Sequence, residues 1–171
     1  MGIAGAASVW SVTSAPTLLA LSCALGVALA SLACIDAISL RLPDILTLPL
    51  TAAGLAIALG WLPQYQTERL VGALAGFSVL AVLAWAYRQV RGHEGLGLGD
   101  AKLLGAAGAW LGWKALPTLT LIACAAAFGI IAVRALLQGR PSLSRPLPLG
   151  VALCLAFWVE WLRAVSGAEA S

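Results

Sequence analysis

The chain has 171 residues, of which 61% are apolar and 10% charged, with a mean hydropathy of +0.97 and a net charge of +3. Soluble domains sit near 45–50% apolar and about 25% charged, so the composition excludes an ordinary soluble domain, a disordered tail and a nucleic-acid-binding module. It describes a membrane protein; 18 Gly, 8 Pro and 7 Trp fit that reading, because Gly, Pro and interfacial Trp are frequent in membrane helices.

Six apolar stretches follow in chain order, at roughly 17–35, 45–62, 67–87, 99–113, 116–137 and 147–165. A span in lipid must satisfy its backbone hydrogen bonds internally, so each is predicted to be a helix. The expected fold class is all-α: a polytopic membrane bundle of about six transmembrane helices, forming one membrane-embedded domain over residues 1–171. The fourth stretch is short for a full crossing and rich in glycine.

Basic residues orient the bundle. With the N-terminus outside, the odd connections and their flanks carry Arg41, Arg88, Arg91, Lys102, Arg134, Arg140 and Arg145, against Arg69, Lys114 and Arg163 on the other side. The positive-inside rule then puts the odd connections in the cytoplasm. Residues 18–30 could serve as the apolar core of a signal peptide, with Ala28-Leu29-Ala30 as its cleavage site. Residues 1–16 contain no Lys or Arg, so the charged segment such a signal needs is missing.

Charge inside a membrane segment costs roughly 2.5–3.5 kcal/mol per group, so each carboxylate is a functional candidate. Glu68 sits beside Arg69 in a short outer loop, Glu160 lies between Trp158 and Trp161 where an interfacial aromatic belt is expected, and Glu169 is on the terminal tail. These read as solvated or interfacial. Asp36 ends the first span, Asp44 opens the second, and Glu94 and Asp100 bracket a glycine-rich run before the fourth. The topology sets all four at the cytoplasmic level. For Asp44 and Asp100 a helix N-cap is an open alternative. Capping explains Asp36 poorly, because it sits at the C-terminal end of its helix, where the dipole disfavours an anion.

The run Gly92-His93-Glu94-Gly95-Leu96-Gly97-Leu98-Gly99-Asp100-Ala101-Lys102 carries no phosphate-loop, dinucleotide, serine-elbow or zinc signature. Its glycines are expected to permit turns that a side chain would forbid and to let helices approach closely. His93 is the sole histidine, and Cys23, Cys34, Cys124 and Cys154 form no C-x-x-C pair. A metal site or disulfide framework is therefore not expected, and the thiols read as buried and inert. Two aspartates on opposing helices can hydrolyse an amide without any cofactor. One acts as general base on a water and the other as general acid, the pair sharing one proton because like charges held close cannot both ionise cheaply.

Gly97-Leu98-Gly99-Asp100 is a G-x-G-D motif. With Ala101 to Leu104, Gly108 to Trp113, and Ile35-Asp36 followed by Leu42-Pro43-Asp44-Ile45-Leu46-Thr47-Leu48-Pro49-Leu50, it resembles the type IV prepilin leader peptidases over about residues 32–155. Arg145-Pro146-Leu147-Pro148-Leu149-Gly150 is similar to that family's entry to its last helix. The resemblance implies an aspartic endopeptidase of the bacterial inner membrane that removes the short basic leader of prepilins or pseudopilins on the cytoplasmic side. It implies that Asp36 and Asp100 form the catalytic pair, with Asp44, Glu94, Gly97, Gly99 and Lys102 in support. The family's long form carries a methylating region with paired C-x-x-C motifs; this sequence has none, so methylation is not expected. The competing readings are a proton-coupled transporter, a catalytically silent scaffold, and a G-x-G-D protease cutting within a substrate's span. Clustering of the acids at one level disfavours the first, and the intact aspartates disfavour the second.

Overall fold

The computed structural model describes residues 15–61, 63–91, 97–138 and 149–169. They form six helices: α1 (Ala15–Ser39), α2 (Asp44–Trp61), α3 (Gln66–Arg91), α4 (Leu98–Leu111), α5 (Leu116–Gln138) and α6 (Leu149–Glu169). No strand occurs among the described residues. The all-α expectation holds. Within α1, α3, the α5 region and α6, the segments Pro16–Ser39, Gln66–Val90, Trp113–Val133 and Leu149–Ser166 are long and apolar enough to cross a membrane; α2 is a shorter apolar helix. Outward-facing Val79, Val82, Leu121 and Phe128 are exposed, the inverse of a soluble surface and what a lipid-facing belt requires.

α4 has 14 residues and is about 21 Å long at 1.5 Å per residue, against a hydrocarbon core of roughly 30 Å. It is the centre of the bundle, packed on α2, α3 and α6. From Asp100 to Trp110 every residue except Lys102 is buried. A helix apolar all round and enclosed by protein has no need to cross, and irregular backbone at its ends is tolerated where protein covers it. The glycine-rich stretch thus encodes a short central helix rather than a sixth full span.

Small residues bring α3 and α4 into backbone contact. A Cβ on Gly76 would lie 2.5 Å from the Leu104 carbonyl oxygen, one on Gly72 2.6 Å from that of Gly108, and one on Gly108 would collide with Gly72 itself. In a membrane, where lipid tails are as apolar as the side chains, such close van der Waals packing is a principal source of helix association.

Two indoles complete the core. Trp110 fits over Gly54 and donates its N–H to the Leu50 carbonyl at 2.8 Å; Trp161 donates to Ser22 Oγ at 3.0 Å. The rings meet edge to face, 5.5 Å between centroids. The belt expected around Glu160 is therefore corrected at Trp161, which is fully buried against α1, while Glu160 pairs with Arg163 at 3.0 Å. Arg69, read as an outer-loop charge, is also buried. The cysteine expectation needs correction too: Cys154 is buried, whereas Cys23, Cys34 and Cys124 face outward.

Candidate active site

One end of the bundle collects the C-terminal end of α1 and the N-terminal ends of α2, α4 and α6. The ion pair of Lys102 with Asp44 marks this end, and that of Lys114 with Glu68 at 2.6 Å marks the opposite one. α1 carries Asp36 one turn before its end. The helix stops at Leu40, whose φ of 53° is left-handed and whose N–H donates to the Asp36 carbonyl at 2.9 Å. Non-glycine residues adopt that conformation at a cost of about 1–2 kcal/mol, so strain sits beside Asp36. Pro43 then starts α2: its carbonyl accepts from Leu46 N–H at 3.1 Å and Thr47 N–H at 3.3 Å.

The capping alternatives resolve in an unexpected way. Pro43 receives the first bonds of α2, so Asp44 is a first-turn residue and not the cap. Its carboxylate accepts instead from Lys102 Nζ at 2.5 Å. Gly97 caps α4 and Asp100 is third in the helix, its N–H donating to the Gly97 carbonyl at 3.1 Å. Asp36, for which capping looked poor, does cap a helix, but a different one. Its Oδ2 accepts from the Val151 N–H of α6 at 3.1 Å. Only Asp36's own helix entered the dipole argument, and the missed partner lies 115 residues away.

Asp36 and Asp100 are buried, 4% and 9% exposed, and each lies within electrostatic reach of the other. The Cys154 thiol, one turn into α6, is within reach of both. Leu42 lies between the start of α4, which carries Asp100, and the start of α6, which binds Asp36. A Cβ on Gly99 would lie 2.8 Å from Leu42 Cβ, and one on Gly150 3.1 Å from Leu42 Cδ1. The expectation about glycine turns is corrected at Gly97 and Gly99; Gly92 and Gly95 lie outside the described residues. Gly97 has φ −74° and ψ 136°, an extended conformation open to any residue, and Gly99 is helical. Gly99 matters for the space that it leaves. Among the described glycines, Gly112, which ends α4 at φ 84°, is the one that uses left-handed backbone.

The structure therefore brings together Asp36, Asp44, Gly97, Gly99, Asp100 and Lys102. Glu94 and His93 lie outside the described residues. Among the described residues no group of three or more His, Cys, Asp or Glu side chains could hold a metal ion. Two buried carboxylates within electrostatic reach of one another are the groups that can activate a water and protonate a carbonyl or an amine.

Comparisons with known proteins identify the chain's relatives. Residues 23–133 match the type IV leader peptidase family. The chain is 42% identical to "Leader peptidase HopD" of Escherichia coli over 127 residues, covering 74% of this chain and 82% of that protein. It is 40% identical to "Leader peptidase HopD" of Salmonella typhimurium, covering 72% and 80%. Against the "Prepilin leader peptidase/N-methyltransferase" of Aeromonas salmonicida (strain A449) it is 44% identical over 138 residues, covering 78% of this chain and 46% of that protein. The chain thus spans most of the first two proteins and about half of the third. No solved structure matches.

Proposed function

The chain belongs to the type IV leader peptidase family, and we propose that its residues 1–171 act as one membrane-embedded endopeptidase domain that removes the leader of a type IV prepilin or pseudopilin. The observation that carries this reading is the burial of Asp36 and Asp100, from helices distant in sequence, within electrostatic reach at one end of the bundle.

Asp36 and Asp100 share one proton between them, as like charges in a low-dielectric site do. The ionised member takes a proton from a water, whose oxygen attacks the scissile carbonyl carbon. The protonated member gives its proton to the carbonyl oxygen. The tetrahedral adduct then collapses, the C–N bond breaks, and the amine leaves with a proton returned by the pair. No metal or organic cofactor takes part. Lys102 and Asp44 fix the start of α4 relative to α2, and the site faces the cytoplasm of the bacterial inner membrane, a reading that the excess of basic residues in the odd connections supports.

Co-expression with a tagged prepilin or pseudopilin tests the reading, with mass spectrometry of the substrate's N-terminus as readout. The expected result is loss of the leader at a single peptide bond. Intact leader on a range of such substrates, with the chain integrated in the membrane, contradicts it.

A further inference from the structure

We infer that Gly150 is a positioning residue for Asp36, its missing side chain allowing the first turn of α6 to grip the carboxylate that the proposed reaction uses. The inference rests on the functional reading above and adds a residue to it.

The first amides of a helix have no partner within the helix and carry the positive end of its dipole. α6 begins at Leu149, so the Val151 N–H is one of these unpaired donors, and Asp36 Oδ2 accepts it at 3.1 Å. The Gly150 N–H adds a weaker contact to the same carboxylate. The carboxylate of Asp36 is thereby tethered through Oδ2, which restrains the side-chain rotamer. Such a grip requires the carboxylate to lie flat on the helix end. A Cβ at position 150 would lie 2.7 Å from both Asp36 Cγ and Oδ2, well inside van der Waals contact. Any side chain there must push the carboxylate off the amides by several tenths of an ångström. The same Cβ would press on Leu42 Cδ1, and Leu42 packs against Gly99 next to Asp100. Displacement at position 150 therefore reaches both aspartates.

Other glycines do not share this arrangement. Gly129, inside α5, has nothing within 4 Å of a built Cβ, so it serves as the control for replacing a helical glycine in this bundle.

The test uses the purified full chain in detergent, with a prepilin substrate, and compares Gly150→Ala with Gly129→Ala. Misplacing a reacting group by about 1 Å costs about a hundredfold in rate. Gly150→Ala is expected to lower kcat by about ten- to a hundredfold on that basis, with KM within about twofold of wild type. Gly129→Ala is expected to match wild type. Wild-type kcat in Gly150→Ala, or a loss expressed in KM alone, overturns the inference.

Thermal midpoints decide the geometry independently of activity. Gly150→Ala should lower the midpoint in the wild-type background, and most of that drop should vanish when Asp36→Ala has removed the obstructing carboxylate. An equal drop in both backgrounds also overturns the inference. If wild type cleaves no prepilin, the functional reading fails while the midpoint cycle still judges the Gly150–Asp36 contact.

Discussion

Lys102 Nζ donates to Asp44 Oδ1 at 2.5 Å, tying the first residue of α2 to the beginning of α4 two residues beyond Asp100. The side chains are 28% and 58% exposed. An ion pair that open to solvent contributes at most about 1 kcal/mol and weakens with salt. Its importance is positional: it holds the end of α4 that carries Asp100 against the end of α2 that follows Leu42. Lys102→Met or Asp44→Asn should lower the melting temperature by no more than about 4 °C yet slow leader removal several-fold. The charge-swapped double variant, Asp44→Lys with Lys102→Asp, should recover part of the lost rate. Parallel thermal melts and initial rates on the three variants check this.

Close backbone packing of α3 on α4 makes a prediction of the opposite kind. Gly108→Ala and Gly76→Ala place a methyl group against carbonyl groups that cannot move aside. Each should destabilise the bundle by about 1–3 kcal/mol, the usual cost of overpacking. Gly129→Ala should be neutral or stabilising by up to about 1 kcal/mol, through the better helix propensity of alanine alone. Unfolding in detergent, followed by circular dichroism, separates the two outcomes.

The thiols take no part in the proposed chemistry, although Cys154 lies close to both aspartates. All four cysteines are free. Replacing them together by alanine should cost some stability at the buried Cys154 yet leave leader removal within about twofold of wild type. A loss of a hundredfold, restored by returning Cys154 alone, would give that thiol a role in the reaction. Rate measurement on the cysteine-free protein and its single revertant is the check.

The helices were legible in the residues because hydropathy is a local rule, and the order of the spans put Asp36 and Asp100 at one level of the bundle. Hydropathy placed every helix within a few residues of its observed bounds, and scarcity of charge drew attention to Asp36, Asp44 and Asp100. What escaped was tertiary. Asp36 caps α6 across 115 residues, a relation that no window along the chain contains; its one local trace was the glycine at position 150 following Pro146 and Pro148. Trp161 reads by type as part of an interfacial belt, yet Ser22 on α1 accepts its N–H and the ring is fully buried. Arg69 was likewise assigned to the surface by type. The glycines near Asp100 were credited with turning the chain, whereas Gly99 serves by leaving room for Leu42.

The hydrogen bond from Val151 to Asp36 also gives Asp36 a structural use, so a variant is needed that keeps the cap and removes the chemistry. Asp36→Asn does this: the amide oxygen still accepts from Val151, but no carboxylate remains to exchange a proton. Asp100→Asn is its counterpart on α4. The most direct measurement is the rate of leader removal by purified wild type, Asp36→Asn, Asp100→Asn and the double variant, each with its melting temperature. Joint action predicts that each single variant melts near wild type and loses about a thousandfold or more in rate. The double variant should be no slower than either single one, because groups that act as a unit are lost together. Processing that survives either single substitution, or losses that multiply in the double variant, would contradict a shared site.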